Sequence, residues 1–200
     1  MVSTIEAART AFVVNDMINH NYRRHGDEAH NRQIAESGII GNTLRLLDGI
    51  RRHGVPTFWV RVDRRPDRAD VVDNATDVRS GWHAGGATTA DSYDGALIEE
   101  VQVAPQDAHV FKMRFDPFVG TGLDLLLRAR SIDTILLAGY STNMGVESCA
   151  RTGHDLGYNV VVLSDCCYNI PAELHRFAIE RILPRVARVM TVDQVLAGLS

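Results

Sequence analysis

The chain has 200 residues, 45% of them hydrophobic and 23% charged, with a formal net charge of -4. These totals exclude a disordered chain, leave no room for two full-sized domains and offer a polyanion no uniformly basic face, because Arg61, Arg64, Arg65 and Arg68 are interleaved with Asp63, Asp67 and Asp70. No apolar run approaches the roughly 20 residues of a membrane span, and the N-terminal MVSTIEAART has no signal-like apolar stretch. A single cytoplasmic domain over residues 1–200, without nucleic-acid or membrane partners, is therefore expected.

The first apolar run, AFVVND from Ala11, reads as a buried strand ending at Asp16. Residues 32–53, with Ile39, Ile40, Leu44 and Leu47 at helical spacing, predict one helix closed by Gly54. A second strand, TFWVRV from Thr57, leads into an irregular polar segment, 63–94, that holds Trp82 and His83 among glycines. Segments of that kind in small domains are usually lids or binding loops. Trp82 and His83 are therefore candidates to line a pocket, the alternative being an exposed loop tip.

The third strand, AHVFKM from Ala108, ends near Lys112, and 121–130 predicts a helix. A fourth strand, TILLAGY from Thr134, is followed by a helix over 142–156 that Gly157 closes; a fifth, NVVVLSD from Asn159, by a helix over 172–183 that starts after Pro171. VARVMT from Val186 is the sixth. Continuous Val/Ile/Leu runs alternating with helices predict an α/β fold: a doubly wound, mainly parallel six-stranded sheet with helices on both faces.

In such sheets ligands bind beyond the carboxyl ends of the strands, which selects Asp16, Lys112 and the stretch Tyr140, Ser141, Thr142 after the fourth strand. A buried Lys112 needs a charged partner, and Asp16 is the candidate. Asn19 and Phe118 are expected to shape the pocket wall, and Arg61 or Arg64 to bind a substrate carboxylate. The three cysteines, Cys149, Cys166 and Cys167, show neither a disulfide framework nor metal-ligand spacing and read as buried, reduced thiols. There is no GxGxxG or Walker element for a nucleotide.

Four segments in this order, VVNDM, FKMRFDPFVGTGLDLLLR, LLAGYSTNMGVESCAR and GYNVVVLSD, resemble the isochorismatase-like hydrolase family over nearly the whole chain. The resemblance implies catalysis by an aspartate after the first strand and a lysine after the third, matched by Asp16 and Lys112. The family's third member is a nucleophilic cysteine in a T-N-x-C-V pattern. Here Thr142-Asn143-Met144-Gly145-Val146 puts glycine at that position, with Met144 beside it. A cis peptide at Tyr140–Ser141 is implied as well, along with assembly into a dimer or tetramer. The stretch after the second strand, RVDRRPDRAD, lacks the histidines of the family's metal-binding members, so neither metal nor cofactor is expected.

Three readings of Gly145 stay open on sequence: close helix packing, room for a bulky substrate or water, or an engineered replacement of cysteine. The leading expectation is hydrolysis by water of a vinyl ether or related bond in a small, carboxylate-bearing molecule, with Asp16 as general acid/base and Lys112 tuning its charge and holding the substrate. The alternatives are a C-N (amide, ureide or carbamoyl) hydrolase that has lost its cysteine, or a non-catalytic binding homologue.

Overall fold

In the computed structural model the chain is described over residues 4–70 and 88–200. The six apolar runs form β1 (Thr10–Asn15), β2 (Thr57–Val62), β3 (Ala108–Lys112), β4 (Thr134–Tyr140), β5 (Asn159–Tyr168) and β6 (Arg188–Met190). All neighbouring pairs are parallel, in the order β3-β2-β1-β4-β5-β6. Winding runs outward in one direction from β1 to β3 and in the other from β4 to β6, so the switch point lies between β1 and β4.

The helices are α1 (Asn19–Tyr22), α2 (Glu28–Ser37), α3 (Ile39–Arg51), α4 (Leu123–Ala129), α5 (Glu147–Asp155), α6 (Ala172–Phe177) and α7 (Val192–Gly198). The single helix expected over 32–53 is two, because Gly38 takes a left-handed conformation (φ 71°) that ends α2 and turns the chain into α3. A π-helical turn, Thr142–Val146, leads into α5, and another, Ala178–Ile182, continues α6. The short α7 was not expected, although Thr191 and Gln194 form a capping box at its start.

Alternation along the strands divides the core between the two faces of the sheet. Phe12, Val14, Trp59, Leu136 and Val161 meet Ile34, Leu46, Ile50 and Val195 from α2, α3 and α7. Ala11, Val13, Phe58, Val60, Leu137 and Val162 meet Leu123, Leu127, Val146, Cys149 and Ala150 from α4 and the α5 segment. Continuing that alternation places Asn15 and Lys112 on this second face, at its carboxyl edge and against the start of α5.

β1 and β4 approach closely at the switch point because Gly139, paired with Asn15, has φ 124°, and a Cβ there would lie 2.0 Å from the Asn15 carbonyl oxygen. No side chain fits against backbone at that distance. Gly139→Ala is expected to force β4 from β1 and lower unfolding free energy by about 3 kcal/mol or more, measured by urea denaturation. A variant of unchanged stability would show that this approach is not tight.

Candidate active site

Asp16 leaves β1 in a left-handed conformation (φ 52°), its N-H donating to Val60 O at 2.8 Å and its carbonyl accepting from Asn21 Nδ2 at 2.9 Å. This turn takes it out of strand alternation. Its carboxylate thereby reaches Lys112, with Nζ to Oδ2 at 2.6 Å and side-chain exposures of 3% for the lysine and 13% for the aspartate. Since β2 lies between β1 and β3, the two strand spacings, about 10 Å, are bridged by the lysine from one side and the Asp16 and Asn15 side chains from the other.

Lys112 Nζ also donates to Asn15 Oδ1 at 3.1 Å and to Phe115 O at 2.9 Å. Three acceptors meet three ammonium hydrogens. The ammonium hydrogens of Lys112 are thus engaged within the protein, and its positive charge lies beside Asp16 and Asn15.

Gly145 completes the cluster from above. A Cβ at this position would lie 2.9 Å from Asn15 Nδ2, 3.3 Å from Lys112 Nζ and 3.4 Å from Phe115 O. The π-helical turn that carries it is anchored where Met144 and Val146 N-H groups both donate to Ser141 O at 3.2 Å. The Tyr140–Ser141 peptide is cis, as the family resemblance implied. Thr142, fully buried, contacts His175 Nδ1 through Oγ1 at 2.9 Å, tying the turn to α6.

Other predicted residues are placed differently. Asn19 pins its own segment to the 93–96 stretch, donating from Nδ2 to Tyr93 O at 2.9 Å and from N to Ala96 O at 3.0 Å. It also lines a cleft of about 180 Å³ together with Arg23, Tyr93, Leu97 and Glu99. Arg61 donates to the carbonyls of Ala90 and Gly95 and lies over the Phe111 ring, so it acts as a tie for this loop, while Arg64 donates to Met113 O. Phe118 stacks on Tyr158 near Gly153, two turns along α5 from Gly145, and belongs to the core rather than the pocket wall. The Tyr140 ring packs edge-on to Tyr22 and His30 on the opposite face of the sheet, whereas Met144 is partly exposed on the turn itself. Trp82 and His83 lie outside the described residues.

The cysteines offer no substitute nucleophile. Cys149 and Cys167 are buried, with desolvation holding both thiols far above the usual range, and Cys166 is pushed up to about 12 by the same cause. Among the described residues no group of three or more His, Cys, Asp or Glu is placed to hold a metal ion, and no helix is long and apolar enough to cross a membrane.

What the sequence reading missed is Asn15. Its side chain is fully buried, with Oδ1 on Lys112 and Nδ2 beside Gly145, and the signal was present as a lone amide closing an otherwise apolar strand.

Lys112→Met would leave Asp16 as an unpaired, nearly buried carboxylate and strip two further acceptors of their donor. An expected loss of about 3 to 5 kcal/mol in unfolding free energy is checked by urea denaturation, and a loss below about 1 kcal/mol would show that the pair behaves as a surface contact. His175 has its pKa lowered below its ordinary 6.5 by burial. As pH falls through that value the unfolded chain takes up the proton first, so stability is full above about pH 6.5 and declines below it. His20, His30 and His109 are lowered for the same reason, so in melting curves from about pH 8 to about pH 5 His175→Gln should flatten the acid-side decline without abolishing it. An unaltered slope would remove His175 from that behaviour.

Comparison with known proteins accords with this geometry. The Isochorismatase domain family model matches residues 10–194. The isochorismatase family protein YecD of Escherichia coli O157:H7 is 35% identical over 170 residues, covering 80% of this chain and 83% of YecD. The ureidoacrylate amidohydrolase RutB of Agrobacterium fabrum is 30% identical over 183 residues, covering 84% of this chain and 79% of RutB. An isochorismatase family protein from Burkholderia thailandensis superposes with a TM-score of 0.82 at 29% identity, covering 99% of this chain and 98% of that one. The six-stranded parallel sheet and these likenesses agree, and the chain belongs to the isochorismatase family of hydrolases.

Proposed function

We propose that this hydrolase cleaves a small, carboxylate-bearing molecule with water as nucleophile and Asp16 as general acid/base. The observation that carries the reading is the buried Asp16–Lys112 pair at the switch point, set beside a glycine whose missing Cβ falls 3.3 Å from Lys112 Nζ. Isochorismate, for which the family is named, and ureidoacrylate, on which the relative RutB acts, both carry carboxylates, which supports the substrate class.

At a vinyl ether Asp16 would first protonate the terminal carbon and water would then add to the resulting cation; at a carbonyl, Oδ2 stays on Lys112 while Oδ1 takes a proton from water as the water oxygen bonds to the substrate carbon. The same proton then passes to the departing oxygen or nitrogen. Overall, H and OH are added across the cleaved bond and the carboxylate is regenerated. Lys112 contributes by holding Oδ2 and keeping positive charge next to the carboxylate.

A second reading, cleavage of a C-N bond by a site that has lost its cysteine, is favoured by the likeness to RutB. It predicts activity only when cysteine stands at position 145. Because a Cβ there would crowd Asn15 Nδ2 at 2.9 Å, the appropriate variant is the double substitution Asn15→Ala/Gly145→Cys.

Turnover of isochorismate, ureides and small amides, followed as pyruvate or ammonia release, separates the two. The unmodified chain is expected to turn over a member of the panel, and Asp16→Asn to lose about 10²- to 10⁴-fold in kcat. Full activity in Asp16→Asn would remove that residue from the mechanism. Activity confined to the double variant would establish the second reading instead.

A further inference from the structure

Two buried polar atoms at the switch point have no hydrogen-bond partner among the described residues: Asn15 Nδ2, a donor, and Asp16 Oδ1, an acceptor. Buried polar groups are nearly always satisfied, and leaving one unmade costs about 1 to 3 kcal/mol. These two are held by one clamp, since Lys112 Nζ bonds Asn15 Oδ1 at 3.1 Å and Asp16 Oδ2 at 2.6 Å. The clamp orients both side chains and leaves the second polar atom of each free.

The Asn15 side chain is fully buried, and the Lys112 contact distinguishes its oxygen from its nitrogen, because an ammonium can bond only the carbonyl end. The amide nitrogen is thereby directed at position 145, where a cysteine side chain would begin. A strand residue on this face would ordinarily be apolar, as Ala11 and Val13 are.

We infer that Asn15 is a catalytic residue of the cysteine-free site: its Nδ2 and Asp16 Oδ1 together hold the hydrolytic water, Nδ2 donating to the water oxygen and Oδ1 accepting one of its hydrogens. This inference rests on the water-based reading above and names the group that positions the nucleophile. The hydrogen bond from Nδ2 occupies one lone pair of the water, the hydrogen bond to Oδ1 places a proton on the base, and the remaining lone pair points to the substrate carbon. Attack forms the new C-O bond and transfers that proton to Asp16, from which it returns to the leaving atom. Glycine at 145 is then required, because a larger residue would displace the amide that does this.

The test has two arms on the full-length protein. A high-resolution crystal structure of the unliganded chain is expected to show one ordered water within about 3.2 Å of both Asn15 Nδ2 and Asp16 Oδ1. If no water bridges them, or if either atom is bonded to a protein group, the inference is overturned. The second arm is Asn15→Asp, which keeps an oxygen for Lys112 and replaces the donor by an acceptor, compared with Asn15→Leu, which keeps neither. Both are expected to lose about 10²- to 10³-fold in kcat with KM little changed, and Asn15→Asp to melt within a few degrees of the parent. If Asn15 serves only to seat Lys112, Asn15→Asp keeps its kcat and the inference fails while the water-based reading survives. Should the parent turn over no panel compound, that reading fails, and the crystallographic arm still decides whether the water site exists.

Discussion

A lysine ammonium with 3% side-chain exposure is a demanding object to bury, because an unpaired charge in the interior is worth several kcal/mol against the fold. Here the demand is met by three acceptors from three places: the Asp16 carboxylate, the Asn15 amide oxygen and the Phe115 carbonyl. Asn15 ends β1 and Asp16 follows it, Phe115 follows β3, and the lysine meets the first two side chains over β2. The order β3-β2-β1 and the left-handed turn at Asp16 are the geometric conditions for that coordination. Much of the site follows from satisfying one cation.

Close approach on the other side of the switch point is governed by glycine. Gly139 lets the β4 backbone come against Asn15, and Gly145 lets the start of α5 come down onto the Asn15 amide and Lys112. The two differ in what they exclude. At 139 an added Cβ would meet main chain, which cannot give way; at 145 it would first meet a side-chain nitrogen that the lysine holds in place. Glycine at 145 and asparagine at 15 are therefore complementary in volume, which favours a site built for glycine over one in which a cysteine has simply been removed.

Most of the architecture was legible because its causes are local. Uninterrupted runs such as Thr134–Tyr140, buried along their whole length, can only be strands covered on both faces. Errors arose where local signals conflict. Gly38 stands between two segments with continuous helical periodicity, and only its backbone conformation shows that the chain turns there. The helix Val192–Gly198 is short enough for its periodicity to be weak, although its capping box was readable. Phe118 was expected at the pocket wall from its place after Lys112, and Arg61 or Arg64 on a substrate carboxylate from composition; Phe118 packs on Tyr158, and Arg61 bonds the carbonyls of Ala90 and Gly95.

From the sequence by itself came the parallel sheet, the pairing of Asp16 with Lys112 and the absence of sulfur at position 145, because each depends on residue type and on which strand end carries it. Tertiary structure decided what those residues have left to offer. Hydrogen-bond capacity is finite, and counting it requires every neighbour: Lys112 proves fully engaged within the protein, while Asn15, unremarked as a strand residue, holds a free donor beside Gly145. That distinction lies in contacts between segments about a hundred residues apart, which no local pattern records.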